Sequence, residues 1–239
     1  MRWAIGLAWL CLTALAQAQP PQEVVLRAAD GLPVYATFYA SSPSRPVILL
    51  FHQTSSNRGE YGTIAPELVR WGFNALAIDQ RSGGGMWNGM NQTKLALGRE
   101  AGFLESWPDL EAALAWAKAR PFRRILAWGS SYSAAMVVLL AARHPEVGGV
   151  IAFSPGEYLE QPDLVRLAAR QVQTPLFFAS TRYEAASVGL ILRAAPSRDK
   201  TQFIPKDVGQ HGSRALLSPY RQEYWAALRP FLIRMRSLR

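Results

Sequence analysis

Residues 125–136 read ILAWGSSYSAAM, and this stretch decides how the rest of the chain is interpreted. An apolar run typical of a strand meets small residues and passes directly into a run typical of a helix. The motif Gly-x-Ser-x-Gly places its serine on a strained strand-to-helix turn, where the flanking residues must be small because strand and helix crowd together. Gly129, Ser131 and Ser133 fill this pattern, with Ser133 where the second glycine is usual. The stretch therefore predicts a sharp turn that exposes the Ser131 hydroxyl.

Composition indicates one globular domain preceded by an export signal. The chain has 239 residues, 49% of them hydrophobic and 18% charged, which suits one larger α/β domain. Arg2 precedes the apolar run of residues 3–15, and Ala16-Gln17-Ala18 supplies a small-x-small cleavage pattern. We therefore expect residues 1–18 to be a signal peptide and residues 19–239 to be a secreted or periplasmic domain without stable membrane insertion. An uncleaved anchor is the alternative, although the run is shorter than the roughly 20 apolar residues that span a bilayer.

Cysteine content and charge exclude several kinds of site and partner. The only cysteine, Cys11, lies in the predicted signal peptide, so the mature domain has no thiol for a disulfide, a nucleophile or a zinc site. The formal net charge of +9 is scattered along the chain without interleaved aromatic residues. We therefore expect a solvated basic surface and no nucleic-acid partner. The densest basic run, residues 234–239, is expected to be a terminal tail, and no pattern specifies an oligomeric state.

Short apolar runs alternate with segments of helical composition along the domain. Two β-favouring runs flank the turn Asp30-Gly31-Leu32-Pro33 and predict an antiparallel opening hairpin. The later runs are continuous, as in parallel strands that are buried on both faces. The expected strands are residues 24–27, 34–39, 46–51, 73–78, 124–128, 149–153, 175–179 and 202–204, and the expected helices are residues 61–71, 107–119, 134–143, 163–171, 185–192 and 219–231. The pattern predicts an α/β fold with a mostly parallel, doubly wound sheet of about eight strands.

Residues 80–102 form the longest segment without clear periodicity, and they are rich in glycine and polar side chains. Long segments of this kind are often functional, so we expect this one to cap the substrate side. Trp87, Trp107 and Tyr158 are candidates for lining an acyl or alcohol pocket, with packing in the core or cap as the alternative.

The three histidines of the chain limit the choice of a general base. A serine hydroxyl needs a base within hydrogen-bond reach and an acid that orients that base. His144 precedes Pro145 at the end of a predicted helix, where a structural capping role is expected. His52 and His211 both follow predicted strands, where ligands of a parallel sheet bind. The chain order serine, acid, histidine that accompanies this kind of turn selects His211 as the base and leaves His52 to shape its loop.

Four motifs in this order resemble the α/β-hydrolase superfamily, and within it the dienelactone hydrolase-like and small bacterial serine esterase branch. They are FHQ at residues 51–53, IDQRSGG at residues 78–84, GSSYS at residues 129–133 and QHG at residues 210–212. The resemblance covers nearly all of the mature chain and implies an α/β-hydrolase fold. It also implies a serine hydrolase that cleaves a small-molecule carboxylic ester or related acyl bond through an acyl-enzyme, with no metal or organic cofactor. Dienelactone hydrolases proper use a cysteine nucleophile, so their particular substrate is not carried over.

The resemblance assigns roles to five residues of this chain. It carries Ser131 over as the nucleophile and His211 as the general base. Backbone donors of the oxyanion hole are implied at Tyr132, the residue after the nucleophile, and at Thr54, with Gln53 as its substitute. Each such donor would contribute about 3 kcal/mol to transition-state stabilisation.

The resemblance also implies that the acid lies on the loop after residues 175–179, where Glu184 is the only carboxylate. Glutamate is an accepted substitute for aspartate in such triads, and a helix N-terminal role is its alternative. Glu157 follows the preceding strand and is the second choice, because some similar hydrolases hold their acid one strand earlier. Asp199 and Asp207 are further alternatives.

Three polar residues near these motifs are expected to be structural. Asp79 matches a family position that usually supports loops near the site. Ser130 and Ser133 flank the turn, where their hydroxyls point into packing and cannot replace Ser131. Two other functions stay open, a catalytically silent binding protein of the cell envelope and a peptidase of the same fold.

Overall fold

The computed structural model describes residues 19–87 and 89–238, so the predicted signal peptide, residues 1–18, lies outside the described residues. The strands are β1 (Gln22–Arg27), β2 (Pro33–Tyr39), β3 (Val47–Phe51), β4 (Asn74–Ile78), β5 (Ile125–Ser130), β6 (Val147–Phe153), β7 (Leu176–Ala179) and β8 (Lys200–Phe203). The α-helices are α1 (Ile64–Arg70), α2 (Gln92–Leu97), α3 (Trp107–Lys118), α4 (Tyr132–Arg143), α5 (Leu164–Ala169), α6 (Ala185–Ala194) and α7 (Arg221–Ser237). Short 3-10 helices occupy Arg58–Tyr61, Leu104–Ser106 and Ser213–Leu216.

The eight strands form one twisted sheet in the order β1-β2-β4-β3-β5-β6-β7-β8. Strands β1 and β2 pair antiparallel, and β2 pairs antiparallel with β4. All the remaining neighbours are parallel. The hairpin turn depends on Gly31, whose φ of 85° is accessible to glycine at little cost. The predicted α/β-hydrolase fold, with its antiparallel opening hairpin, is confirmed.

Apolar side chains cover both faces of the sheet and form two cores. Every residue of β3, β4 and β5 is buried, which explains why these strands are continuous apolar runs. Helices α3, α4, α5 and α6 pack on one face together with the opening hairpin. Helices α1 and α7 pack on the other, where Trp128 of β5 is fully buried. The carboxyl ends of the parallel strands therefore meet at one open edge between two helical layers.

Two segments differ from the sequence prediction. Residues 80–102 contain a short helix, α2, which Asn91 caps by accepting the Lys94 N–H at 2.8 Å and which Gly98 ends at φ 75°. The last helix does not end near residue 231 but continues through Pro230 to Ser237. Leu232 and Met235 are buried on this extension, so tertiary packing outweighs the proline, and the predicted tail is wrong.

No helix within the described ranges is both long and apolar enough to cross a lipid bilayer.

Candidate active site

The predicted turn lies between β5 and α4, and its backbone adopts a rare conformation. Ser131 is the N-cap residue of α4, with φ 59° and ψ −123°, which costs a residue other than glycine on the order of 1–3 kcal/mol. Its N–H donates to the Phe153 carbonyl at 2.8 Å and fixes the turn against β6. A Cβ atom at Gly129 would collide with the Ser133 carbonyl, so the close approach of strand and helix requires glycine there. The turn holds Ser131 at the open edge of the sheet, with 7% of its surface exposed.

The structure brings Ser131, Glu184 and His211 together. His211 Nε2 lies 2.8 Å from the Ser131 Oγ, and His211 Nδ1 forms a hydrogen bond with Glu184 Oε1. The three residues follow β5, β7 and β8, so the convergence of parallel strand ends explains their meeting. The His211 side chain is 37% exposed, which leaves the ring accessible from solvent.

Donors on three sides keep the Glu184 carboxylate ionised. Its Oε2 accepts the Ser154 hydroxyl at 2.7 Å and the Thr181 N–H at 2.9 Å, while Oε1 faces His211. Burial raises the pKa of Glu184, but the hydrogen bonds from His211, Thr181 and Ser154 outweigh burial and lower it from 4.5 to about 2. A carboxylate that stays negative at neutral pH can hold a proton on His211 Nδ1 and leave Nε2 as an acceptor.

Ser154 joins Glu184 to the loop after β8 that carries His211, called the histidine loop here (residues 204–213). The sequence analysis did not predict this role for Ser154. Its hydroxyl donates to Glu184 and accepts the Gly212 N–H at 3.1 Å. Its φ of 57° shows that it occupies a tight turn directly after β6. The run Ser154-Pro155-Gly156 was the available signal, because turn residues at the carboxyl ends of parallel strands face the site.

The other carboxylates considered for the acid are engaged elsewhere. Glu157 accepts the N–H groups of Val165 and Arg166 at 3.0 and 2.8 Å and so caps α5. Asp199 pairs with Arg234 of α7, and Asp207 is exposed. The structure therefore places only Glu184, among these four carboxylates, against His211.

Asp79 has the supporting position that the sequence suggests. Its buried carboxylate accepts the Arg58 N–H at 2.8 Å, the Arg58 guanidinium at 2.6 Å and the Gln92 N–H at 2.8 Å. These bonds join the end of β4 to the loop after β3 and to α2.

Two main-chain segments offer N–H groups beside Ser131. The Tyr132 N–H begins the twelve-residue helix α4 and has no backbone acceptor among the described residues, so it carries the positive end of the helix dipole. The second segment is the oxyanion loop, defined here as residues 52–59. Its Gln53 N–H is already donated to the Glu60 carboxyl at 3.0 Å, so Gln53 cannot serve as the substitute donor. Thr54 is exposed, and its N–H has no partner within the described ranges.

His52 orients the peptide that carries the Thr54 N–H. Its buried ring accepts the Gln80 N–H at Nε2, at 2.9 Å, so the proton belongs on Nδ1 and points to the Gln53 carbonyl at 2.8 Å. Since a trans peptide directs its N–H opposite to its carbonyl, the Thr54 N–H faces away from this ring. Burial lowers the pKa of His52, although Asp79 and the Gln53 carbonyl oppose this effect. A neutral His52 therefore shapes the oxyanion loop.

The serines on either side of the turn, Ser130 and Ser133, direct their hydroxyls inward. Ser133 Oγ donates to the His52 carbonyl at 2.5 Å and accepts from the Gln80 amide at 2.8 Å. Ser130 Oγ accepts the N–H of Ser213 at 2.9 Å, and Ser213 lies two residues after His211. In the turn between β5 and α4, called the elbow here, Ser133 stands where glycine is usual. Its hydroxyl thus adds a bond between the elbow and the oxyanion loop.

Residues 80–102 are anchored by buried polar groups. Arg81 is bound by Asp109 and Asp30, and the Asn91 amide donates to the Gln80 carbonyl at 2.8 Å. One part of the segment borders the oxyanion loop, because the Gln53 amide lies 3.5 Å from the Met86 sulfur. The segment predicted as a cap is thus a fixed wall beside the loop in this structure.

The three aromatic candidates for a pocket occupy different places. Trp107 lies on α3, where its ring stacks on His144 with centroids 6.3 Å apart. This contact gives both residues packing roles away from Ser131. Tyr158 donates to the Ser154 carbonyl at 3.1 Å and is 38% exposed. The Trp87 ring centroid is 5.8 Å from the exposed Arg214 guanidinium, so these two aromatics border the open edge.

Comparison with solved structures identifies similar folds over almost the whole chain. An esterase of Pyrococcus furiosus, Pf2001, has 17% identity and a TM-score of 0.73, with 90% of this chain and 92% of that chain covered. Est1E of Butyrivibrio proteoclasticus, solved with ferulic acid, has 14% identity and a TM-score of 0.70, with coverage of 89% and 98%. A dienelactone hydrolase of Anabaena variabilis has 18% identity and a TM-score of 0.64, with coverage of 89% and 94%. At these identities the likeness establishes the fold.

Sequence comparison identifies the family. No curated protein matches the chain significantly. The profile described as serine aminopeptidase, S33, matches residues 42–207, a range that includes Ser131 and Glu184 and ends just before His211. This match spans more than half of the chain and agrees with the sheet topology and the elbow. The chain belongs to the serine aminopeptidase S33 family of the α/β-hydrolase superfamily.

Proposed function

We propose that the protein is an exported serine esterase that cleaves a small-molecule carboxylic ester, or a related acyl bond, through an acyl-enzyme. The observation that carries the proposal is the continuous hydrogen-bonded chain from Ser131 through His211 to Glu184. This chain begins at the strained turn of Ser131, and the N–H groups of Tyr132 and Thr54 have no hydrogen-bond acceptor in the part of the chain that the structure describes. Nucleophile, base, acid and oxyanion donors are the parts that acyl transfer requires.

In the proposed acylation step, the Ser131 Oγ attacks the substrate carbonyl carbon while His211 Nε2 takes the hydroxyl proton. The carbonyl electrons move onto oxygen, which the N–H groups of Tyr132 and Thr54 stabilise by about 3 kcal/mol each. The tetrahedral intermediate collapses, and the His211 proton goes to the leaving alkoxide. Water then attacks the acyl-enzyme by the same path and regenerates Ser131.

Glu184 supports both steps without exchanging a proton with the substrate. Its low pKa of about 2 keeps it negative while His211 becomes positive, so it stabilises the imidazolium. Its bond to Nδ1 also fixes the ring with Nε2 directed at Ser131.

Two observations bear on the acyl bond that is cleaved. One similar fold, Pf2001, is named an esterase at 17% identity, and another is named a dienelactone hydrolase at 18% identity. Both names support an ester. The family description names an aminopeptidase, so an aminoacyl amide is the second candidate.

Fluorophosphonate labelling of the purified protein tests the proposed nucleophile. Wild type is expected to be labelled, and Ser131→Ala is not. A panel of chromogenic esters of increasing acyl length, with aminoacyl anilides alongside, then separates esterase from aminopeptidase activity. A correctly folded wild type that takes no label would favour the silent binding protein and end the hydrolase proposal.

Export is proposed from the N-terminal sequence alone. Residues 1–18 have the charge, apolar run and small-x-small ending of a signal peptide. N-terminal sequencing of the protein recovered from the periplasm or medium is expected to begin at Gln19. Recovery of the intact N-terminus in the membrane fraction would support an uncleaved anchor instead.

A further inference from the structure

A carboxyl group beneath the oxyanion loop takes no part in the triad. The Glu60 side chain is fully buried. Its Oε2 accepts the Gln53 N–H at 3.0 Å and the Ser56 hydroxyl at 2.8 Å. These bonds hold Gln53 and Ser56, which lie on either side of Thr54 along the chain.

The other carboxyl oxygen of Glu60, Oε1, is buried and has no hydrogen-bond partner among the described residues. The Ser130 hydroxyl is near enough to the carboxyl group to act as a donor that lowers its pKa. Ser130 precedes the nucleophile, and its Oγ accepts the Ser213 N–H at 2.9 Å. Glu60 therefore lies where the oxyanion loop, the elbow and the histidine loop meet.

The surroundings of Glu60 favour the neutral acid. Burial raises its pKa, which the donors Ser130, Gln53 and Ser56 and the more distant Arg214 oppose. Within the described ranges, neither carboxyl oxygen is bonded to a cationic side chain. The charged and titratable groups on the elements packed around it are the exposed Arg214, the Arg58–Asp79 ion pair, the buried Tyr61 phenol and the neutral His52 ring.

We propose that Glu60 is a neutral carboxylic acid that positions the oxyanion loop against the elbow, with Oε2 holding the Gln53 N–H and the Ser56 hydroxyl. This inference rests on the proposed hydrolase function. Glu60 touches no reacting atom and is a positioning residue. Loss of its proton would place a buried negative charge beneath a site that must stabilise an oxyanion, an unfavourable arrangement in a medium of low dielectric constant.

Two substitutions at Glu60 test the proposal. Glu60→Gln reproduces the neutral acid, because its amide oxygen can accept from Gln53 and Ser56 and the side chain carries no charge. We expect its kcat to stay within about threefold of wild type. Glu60→Met keeps the length of the side chain but not its polar atoms, so kcat is expected to fall about 10- to 100-fold. This fall is no larger than the fall in kcat that follows removal of one oxyanion donor. KM should change little.

The matched control is Glu67→Gln on α1. The Glu67 side chain is 30% exposed and paired with Arg70, and its substitution is expected to leave kcat unchanged. Wild-type kcat in Glu60→Met, or a loss in Glu60→Gln as large as in Glu60→Met, would overturn the inference.

An infrared difference spectrum separates this inference from the proposed function. Wild type minus Glu60→Gln is expected to show the C=O band of a protonated carboxyl at neutral pH. Its absence overturns the neutral acid even in an active enzyme. If the band is present in a protein that fluorophosphonate does not label, the neutral acid is supported and the proposed function fails.

Discussion

The triad and the oxyanion loop lie side by side at the open edge of the sheet, and they are held in opposite ways. The triad residues bond directly to one another across three loops, and the His211 side chain is 37% exposed. The oxyanion loop is held from below by polar side chains that are fully buried, namely those of His52, Glu60, Gln80, Asn91 and Ser133. A proton-transfer chain aligns itself through its own side chains. A main-chain N–H cannot be reoriented by rotating a side chain, so the surrounding fold must fix its direction.

The triad side of this comparison predicts the largest effect. Ser131→Ala removes the nucleophile and is expected to lower kcat about 10⁵- to 10⁶-fold, with substrate binding retained. The change is measured as initial rates on the best ester of the panel. The exposed Ser41→Ala serves as the control, and substantial ester turnover by Ser131→Ala would exclude an acyl-enzyme on this residue.

The acid comes next. Glu184→Gln keeps the shape but removes the charge that orients His211, so kcat is expected to fall about 10³- to 10⁴-fold. Glu157→Gln is the matched control, because that carboxylate caps α5 and should affect stability more than rate. The reverse ranking of the two variants would transfer the role to Glu157.

On the oxyanion side, Thr54→Pro removes one N–H from the loop. Loss of a single oxyanion donor is expected to lower kcat about 10²- to 10³-fold. Thr54→Ala retains the N–H and is expected to stay within a few-fold of wild type. Equal losses in the two variants would show that the Thr54 side chain, and not its N–H, is what matters.

The Ser133 hydroxyl, which joins the elbow to the oxyanion loop, is expected to have a smaller effect, on the free energy of unfolding. Ser133→Ala leaves the His52 carbonyl and the Gln80 amide without their shared partner. We expect a loss of about 1–3 kcal/mol in the free energy of unfolding, measured by urea denaturation. Unchanged stability, together with unchanged kcat, would mean that this bond is not needed to join the two regions.

A second effect on stability is its dependence on Glu184 ionisation. Its pKa is lowered from 4.5 to about 2, so its stabilising contribution is complete above pH 4.5 and is lost as pH falls towards 2. The difference in urea midpoint between wild type and Glu184→Gln should therefore shrink over that window. A difference that is constant with pH would contradict the ionised form.

The predicted fold is confirmed, and the structure brings Ser131, Glu184 and His211 together, while their catalytic roles stay a prediction. The Gly-x-Ser-x-Gly pattern predicts Ser131, and the chain order serine, acid, histidine predicts His211. The resemblance places an acid on the loop after β7, where Glu184 lies. The choice between Gln53 and Thr54 could not be made in this way, since it depends on a hydrogen bond from Gln53 to Glu60. No spacing rule encodes that contact.

Other features depended on tertiary context as well. Ser154 adopts φ 57° without being glycine, so nothing in its residue type announced the turn that joins acid and histidine. Helix α7 continues past Pro230 because the residues beyond it are buried against the sheet. In both cases packing with distant segments decides the local conformation.

The Arg81 guanidinium has a consequence for how the fold comes apart. It is 5% exposed and paired with Asp30 of the opening hairpin and Asp109 of α3, so it joins three stretches that are far apart along the chain. Asp109 is fully buried, and removal of one partner from a buried pair is strongly destabilising. We therefore expect the opening hairpin, the segment after β4 and α3 to unfold together as one cooperative unit.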